Sequence, residues 1–463
     1  MSGFRFGGAD GRPFPDPPDD WLQEVMSFLR IPSVSGDEDH LPQRRLAAQW
    51  VADFLAGAGA AAAVREHDGL SPYVYGRLPA SAAAATRPGE PPTILIYGHA
   101  DVQPEGDAAL WSSPPYEPTV RDGWLFARGS ADDKGNLYAL MKGAAMLAAS
   151  GELPVDVAFL VDTDEETSGV TAGRFLEHHD ETFDACLIYD ALTQADGQLV
   201  FVAGARGLLV VEVVVRTGHA EVHSGFFGGA ALNAAHVLTR ALARVVDVPA
   251  PLRAGVEPVA PECLEQWQGA IDAAEAMRRA GTSPRSPEVL ERFFEATYAS
   301  PSLDVNGIAS GDAVNEAMIV PCVARAHVSM RLTPSQDPHA IAAALIELLR
   351  SDLPAGAELG VRVLTAAAGA ALDVESRAVQ VGIEAVQEVL GRPPAVVPNG
   401  ATIPLLSALA ERGTPAILTG FAMPDSNLHS PDEGMPVNAL SAGAALGARI
   451  LRRLGAPPPA PAA

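Results

Sequence analysis

The chain has 463 residues, 48% of them hydrophobic, and its 57 acidic against 32 basic residues give a formal net charge of −25. That charge repels a nucleic-acid backbone and an anionic membrane surface at long range, so neither is expected as a partner. The length exceeds one ordinary core and predicts two domains, or one domain carrying an insertion.

Residues 1–20, with Gly7-Gly8 and Pro13, Pro15, Pro17 and Pro18, read as a flexible lead without a signal-peptide pattern. Helices are predicted over Trp21–Leu29, ended by Pro32, and over Gln43–Ala58, where Leu46, Trp50, Val51, Phe54 and Leu55 share one face. Ala80–Ala85 and the following Pro88-Gly89 read as a surface loop. The apolar run Thr93-Ile94-Leu95-Ile96-Tyr97 then passes through Gly98 to His99-Ala100-Asp101. Alternate residues past a strand end point the same way, so His99 can face a metal while Asp101 braces its other ring nitrogen. A capped surface histidine is the other reading of that pattern.

Trp124-Leu125-Phe126 leads to Arg128-Gly129-Ser130-Ala131-Asp132-Asp133-Lys134-Gly135 and a helix carrying Leu137, Leu140, Met141, Ala144 and Leu147, closed at Gly151. Asp132 and Asp133 stand at its N-terminus, where the helix dipole favours carboxylates whether or not they bind anything else. Strand Val155–Val161 runs into Asp162-Thr163-Asp164-Glu165-Glu166, a pile of like charge that is either a solvated loop or the surround of a cation. Ala185–Tyr189 ends in Asp190, and Pro415–Leu418 leads through Gly420 to Asn427-Leu428-His429-Ser430-Pro431. Strands that each deliver a His, Asp or Glu past their carboxyl ends fit the placement of sites in open α/β sheets. His99, His429, Glu166, Asp190 and Asp132 together suit two zinc ions, each with one imidazole and one terminal carboxylate and with the third carboxylate between them. Glu165, next to a ligand but left over, has the position of a general base.

These segments resemble the di-zinc metallopeptidases that include carnosinase-like cytosolic dipeptidases, aminoacylases and succinyl-diaminopimelate desuccinylases. Tyr97–Pro104 is similar to the family's Y-G-H-x-D-V-Q-P, Arg128–Gly135 to its R-G-x-x-D-D-K-G, and Asn427–Glu433 to its N-x-H-x-P-x-E. The resemblance implies that His99 and Asp190 hold one zinc, Glu166 and His429 the other, and that Asp132 bridges them. It further implies that Asp101 orients His99, that Glu165 is the base, and that the Asp132-Asp133 peptide is cis. The implied fold class is α/β, a zinc-peptidase-like catalytic domain with a central mixed sheet flanked by helices, interrupted by an α+β lid or dimerisation domain. The expected boundaries are 1–204 and 366–463 for the catalytic domain and 205–365 for the lid.

Within the lid, Leu208–Val215 is apolar on both sides, as expected of a strand covered on one face by a helix and joined at its edge to a partner. His219-Ala220-Glu221-Val222-His223-Ser224-Gly225 resembles the carnosinase-like L-H-S-G, which implies that His223 reaches the neighbouring subunit's site and stabilises the oxyanion; His219 is expected to be structural. Arg331, at the end of Ala324–Leu332 and before Pro334-Ser335-Gln336-Asp337-Pro338, resembles an arginine that grips the substrate carboxylate, a task suited to a guanidinium fork. A helix is predicted over Ala340–Leu349. Asn399-Gly400-Ala401-Thr402-Ile403-Pro404 is similar to E-G-G-S-I-P, so Gly400 and Thr402 are candidate substrate contacts. Met318 departs from the pattern, standing where a substrate-contacting threonine is common.

The resulting expectation is a homodimeric hydrolase that cleaves the amide bond of dipeptides or related N-acyl amino acids with two Zn²⁺ per subunit, Mn²⁺ or Co²⁺ being substitutes. A deacylase of N-acyl amino acids is the alternative, and a non-catalytic amino-acid-binding protein is a second class. Three scattered cysteines, Cys186, Cys263 and Cys322, and the lack of a bilayer-length apolar run predict a soluble cytoplasmic protein.

Overall fold

The computed structural model describes residues 3–67, 69–82, 90–167, 169–268, 272–312, 314 and 317–457. Residues 83–89 of the expected Ala-rich loop lie outside them. The chain divides into two compact units, one of residues 1–203, 372–397 and 408–463, the other of residues 204–371 and 398–407. The second unit therefore extends past residue 365, where the sequence suggested its end, and also takes in 398–407, which the sequence reading gave to the catalytic domain.

The first unit is built on a six-stranded sheet in the order Ala61–Arg65, Tyr73–Leu78, Asp156–Asp162, Thr93–His99, Ala185–Tyr189, Ala416–Thr419. The first two strands are antiparallel to their neighbours and the other four run parallel. Thr93–His99 and Asp156–Asp162 are buried at every position after the first, and Ala185–Tyr189 throughout. Strands covered on both faces read as continuous apolar runs, which is why these were legible without alternation. One face, with Ile94, Ile96, Val157, Phe159 and Leu187, joins a core with Val51 and Leu55 of helix Leu41–Gly57 and Leu140 and Leu147 of helix Lys134–Ala149. Helix Ala439–Leu454 lies on Lys134–Ala149 at very short range: a Cβ on Gly143 would fall 2.6 Å from the Ala444 carbonyl oxygen.

The N-terminal segment corrects the expectation of a flexible lead. Phe6 is buried against Phe421 and Phe4, its amide donates to Asn438 Oδ1 at 3.2 Å, and Asn438 Nδ2 donates back to its carbonyl at 3.0 Å. Gly and Pro content suggested disorder, but two aromatic rings and one buried amide side chain hold the strand-like turn in place.

The second unit carries a four-stranded antiparallel sheet in the order Ser302–Ser310, Val323–Leu332, Gly207–Arg216, Glu358–Ala367. Helices Ala234–Ala243 and Pro338–Arg350 cover one face, where Val211, Val213, Ala326, Val328, Leu238 and Leu345 share a core. The Leu208–Val215 run was expected at an edge that a partner could extend; it is instead interior, hydrogen-bonded on both sides, and the edges are Ser302–Ser310 and Glu358–Ala367. Its other face, Leu208, Val210, Glu212 and Val214, is half-buried.

Candidate metal centre

Strand register sets the level of the first donors. Tyr97 lies opposite Ile188 and His99 opposite Asp162, so His99, Asp190 and the start of the Asp162–Glu166 loop meet at one edge of the parallel strands. Gly98 permits the next element to close in, since a Cβ there would stand 2.7 Å from Asp133 Oδ2. The Asp132-Asp133 peptide is cis. Asp132 is held from behind by Glu433, a fully buried carboxylate that accepts from the backbone amides of Gly129, Ala131 and Asp132 at 2.9–3.0 Å and from Arg128 Nη1 at 2.8 Å. Glu433 closes the segment that bears His429, so one carboxylate ties two donor-bearing loops together.

The donors fall into two groups that share Asp132. Ligand atoms of His99, Asp132 and Asp190 lie within 4.8 Å of one another, and so do those of Asp132, Glu166 and His429. His99 Nε2 is 3.1 Å from Asp132 Oδ1, and His429 Nε2 is 3.0 Å from Asp132 Oδ2 and 3.1 Å from Glu166 Oε2. Asp101 stands behind His99, its Oδ1 3.4 Å from Nδ1, and its Oδ2 accepts the Glu166 amide at 3.1 Å. Gln103 grips Glu166 three times, its amide donating to Oε1 at 3.1 Å and its Nε2 to Oε2 at 3.0 Å and to the backbone carbonyl at 2.9 Å. Glu165 belongs to neither group.

The electrostatics are those of a basin short of positive charge. Burial pushes Glu165 up to about 8, with His99 opposing the shift and Asp190, Asp101 and Asp132 adding to it. Burial pushes Asp190 up to about 7, and Asp132 adds to the shift. Burial resists ionisation of Asp132 as well, but hydrogen bonds from His429 and His99 outweigh it and hold Asp132 below its ordinary range. His429 is raised to about 10 by its hydrogen bonds to Asp132 and Glu166. Buried carboxylates that hold their charge only by drawing protons onto imidazoles fit divalent cations, whose charge would replace those protons.

The remaining predicted residues lie in the second unit. Arg331, half-buried, donates through Nη1 to Thr402 Oγ1 at 2.7 Å. Gly400 accepts at its carbonyl from Arg206 Nε at 2.9 Å, and Arg206 Nη1 reaches Ser302 Oγ at 3.3 Å. Burial lowers Arg206 to about 10, and repulsion from Arg331 adds to that. His223 sits on an exposed tip, paired through its backbone with Ile319; its Nδ1 accepts the Gly225 amide at 3.0 Å, which leaves the ring proton on Nε2. Sequence reasoning missed Gln103, Arg206 and the role of Glu433. Gln103 and Glu433 fall inside motifs quoted above, which is the signal that was available, whereas Arg206 carried none.

Two imidazoles and three carboxylates form two triads with a common member at the carboxyl ends of the parallel strands, a donor set that could hold metal ions. Residues 95–453 match the model of Peptidase family M20/M25/M40, and the chain belongs to that family of metallopeptidases. It is 28% identical over 427 residues, 89% of this chain and 91% of the other, to a cysteinylglycine-S-conjugate dipeptidase of Corynebacterium striatum. It is 25% identical over 336 residues, 68% of this chain and 67% of the other, to a Beta-Ala-His dipeptidase of Rattus norvegicus. Among solved structures, an M20 family metallo-carboxypeptidase from Sulfolobus solfataricus has the same fold, with a TM-score of 0.83 at 24% identity over 95% of this chain and 100% of that one.

Proposed function

We propose that this enzyme hydrolyses the peptide bond of dipeptides in the cytoplasm, as a homodimer with two Zn²⁺ ions per subunit. The observation that carries the reading is the pair of donor triads sharing Asp132. His99 and Asp190 would hold one ion, His429 and Glu166 the other, with Asp132 between them. Bound there, the cations supply Lewis acidity and lower the pKa of the attacking water. Glu165 takes that water's proton and passes it to the leaving amine; a carboxylate raised toward neutrality by burial is suited to both transfers. Asp101 fixes the ring of His99, and the buried hydrogen bonds around it keep that orientation without solvent. Arg331, braced by Thr402, pairs with the substrate's free carboxylate, and Gly400 shapes the same wall. His223 offers Nε2–H to the developing oxyanion in the partner's site. The dipeptidases of similar sequence support the substrate class.

Metal-stripped protein should be inactive and should regain activity with Zn²⁺, Mn²⁺ or Co²⁺, binding two equivalents per chain. On reloaded protein, dipeptides should be cleaved faster than N-acetyl and N-succinyl amino acids, and faster than their own carboxamides. Preference for the N-acyl amino acids would make it a deacylase, and one ion at full activity would remove the second site.

A further inference from the structure

The first unit has a second feature that the peptidase reading does not use. Strands Ala61–Arg65 and Tyr73–Leu78 pair so that Arg65 lies opposite Tyr73 and Ala63 opposite Tyr75, and the alanines leave space above the ribbon. Helix Val170–His178 brings Phe175 over both tyrosines, with ring centroids 5.7 Å from Tyr73 and 4.9 Å from Tyr75. His179 stacks on Phe175 at 4.4 Å. Between ribbon and helix runs a cleft of about 530 Å³ that includes none of the metal-centre residues.

Its floor is fixed. The Tyr75 hydroxyl donates to Glu181 Oε2 at 2.5 Å, His179 Nε2 stands 3.1 Å from the same oxygen, and Arg77 pairs with the other. The charge of Glu181 is therefore already engaged. Arg65 and Arg174 line the cleft, both exposed, and among the described residues neither has a carboxylate within 4.0 Å. Two exposed arginines at one aromatic cleft offer guanidinium groups to an anion. Burial lowers the proton affinity of His179, and Arg412, Arg77 and Arg65 lower it further against the opposing Asp180.

We propose that this cleft binds a small planar aromatic anion, its ring on the exposed parts of Tyr75 and Phe175 and its charged group on Arg65 and Arg174. Aromatic faces offer area and stacking to a flat ring, and guanidinium forks match the oxygens of a carboxylate or phosphate ester. Neither contribution depends on the peptidase activity, so the site stands or falls separately from the function proposed above.

The probe is 2-naphthoate, titrated calorimetrically into the full-length, metal-loaded enzyme, with 2-naphthamide as the uncharged equivalent and 2-naphthyl phosphate as the ester. One equivalent of 2-naphthoate per chain should bind, unaffected by Arg331→Ala. Binding should weaken about tenfold in Arg65→Ala and in Arg174→Ala, and by a similar factor for the amide. Tighter binding of the phosphate ester assigns the phosphate class, and tighter binding of the acid the carboxylate class. Both arginines are exposed, so an unchanged melting midpoint checks that the variants are folded. The proposal is overturned if no heat is seen up to 10 mM (about 3 kcal/mol of affinity), if acid and amide bind alike, or if binding survives both variants but vanishes in Arg331→Ala.

Discussion

At the scale of the residue, the proposed mechanism gives adjacent glutamates different work because only one of them is gripped. Glu166 is held by the Gln103 amide, the Gln103 side chain and His429, while Glu165 stands outside both donor groups and is raised by burial. Glu165→Gln keeps the shape but accepts no proton, so turnover should fall by roughly two to four orders of magnitude while elemental analysis still finds the metal. Loss of metal with activity retained would mean that the two glutamates have exchanged roles. Glu433 makes a different kind of prediction, since it is fully buried. Glu433→Gln leaves Arg128 buried without its counter-charge and should cost about 3–5 kcal/mol in denaturant unfolding. Because Glu433 joins the Asp132 loop to the segment of His429, metal affinity should fall in the same variant. Unchanged stability would show that the three backbone amides, rather than the ion pair, hold Glu433 in place. These roles were only partly legible: His99, Asp190 and His429 follow apolar strands and announce themselves, but Glu433 accepts from residues some 300 positions away, and no local pattern records that.

At the scale of the element, two helices are placed by what their residues lack. Gly143 faces Ala444 and Ala448, and a Cβ on it would lie 2.6 Å from one backbone oxygen and 3.0 Å from one backbone nitrogen. Alanine is the better helix former by about 1 kcal/mol, but overpacking between two rigid backbones costs about 1–3 kcal/mol. Gly143→Ala should therefore destabilise the protein, seen as a lower denaturation midpoint with an unchanged dependence on denaturant. A gain in stability would show that the helix pair is free to separate. Existence and type of the long elements followed from periodicity, and their ends moved by only a few residues, as with Gln43–Ala58 against Leu41–Gly57. Position within a sheet did not follow. The Leu208–Val215 run looked like an edge because both its faces are apolar, yet strands from far along the chain, Val323–Leu332 and Glu358–Ala367, take both of its sides.

At the scale of the whole molecule, the proposed dimer makes His223 a residue of its neighbour's site. The tip that bears it also exposes Phe226, Phe227 and Met318, apolar groups that a second subunit would cover. Glu165→Gln and His223→Ala should each be nearly inactive as homodimers. After subunit exchange a heterodimer would hold one site with both lesions and one with neither, restoring about half of wild-type activity per heterodimer. If His223 serves its own chain, every site stays damaged and mixing restores nothing.

The sequence by itself determined the α/β class, the strand ends that carry donors, and the identity of His99, Asp132, Glu166, Asp190 and His429 as a group. Those features are local: an apolar run that ends in a ligand type is written in consecutive residues. Tertiary structure alone decided that Glu433 and Gln103 fix the donors, that Phe6 docks the N-terminal segment, and that residues 398–407 fold with the second unit. Each of these depends on which distant segments share a hydrogen bond or a packed ring. That pairing is chosen by burial and register across the whole chain rather than by neighbouring residues.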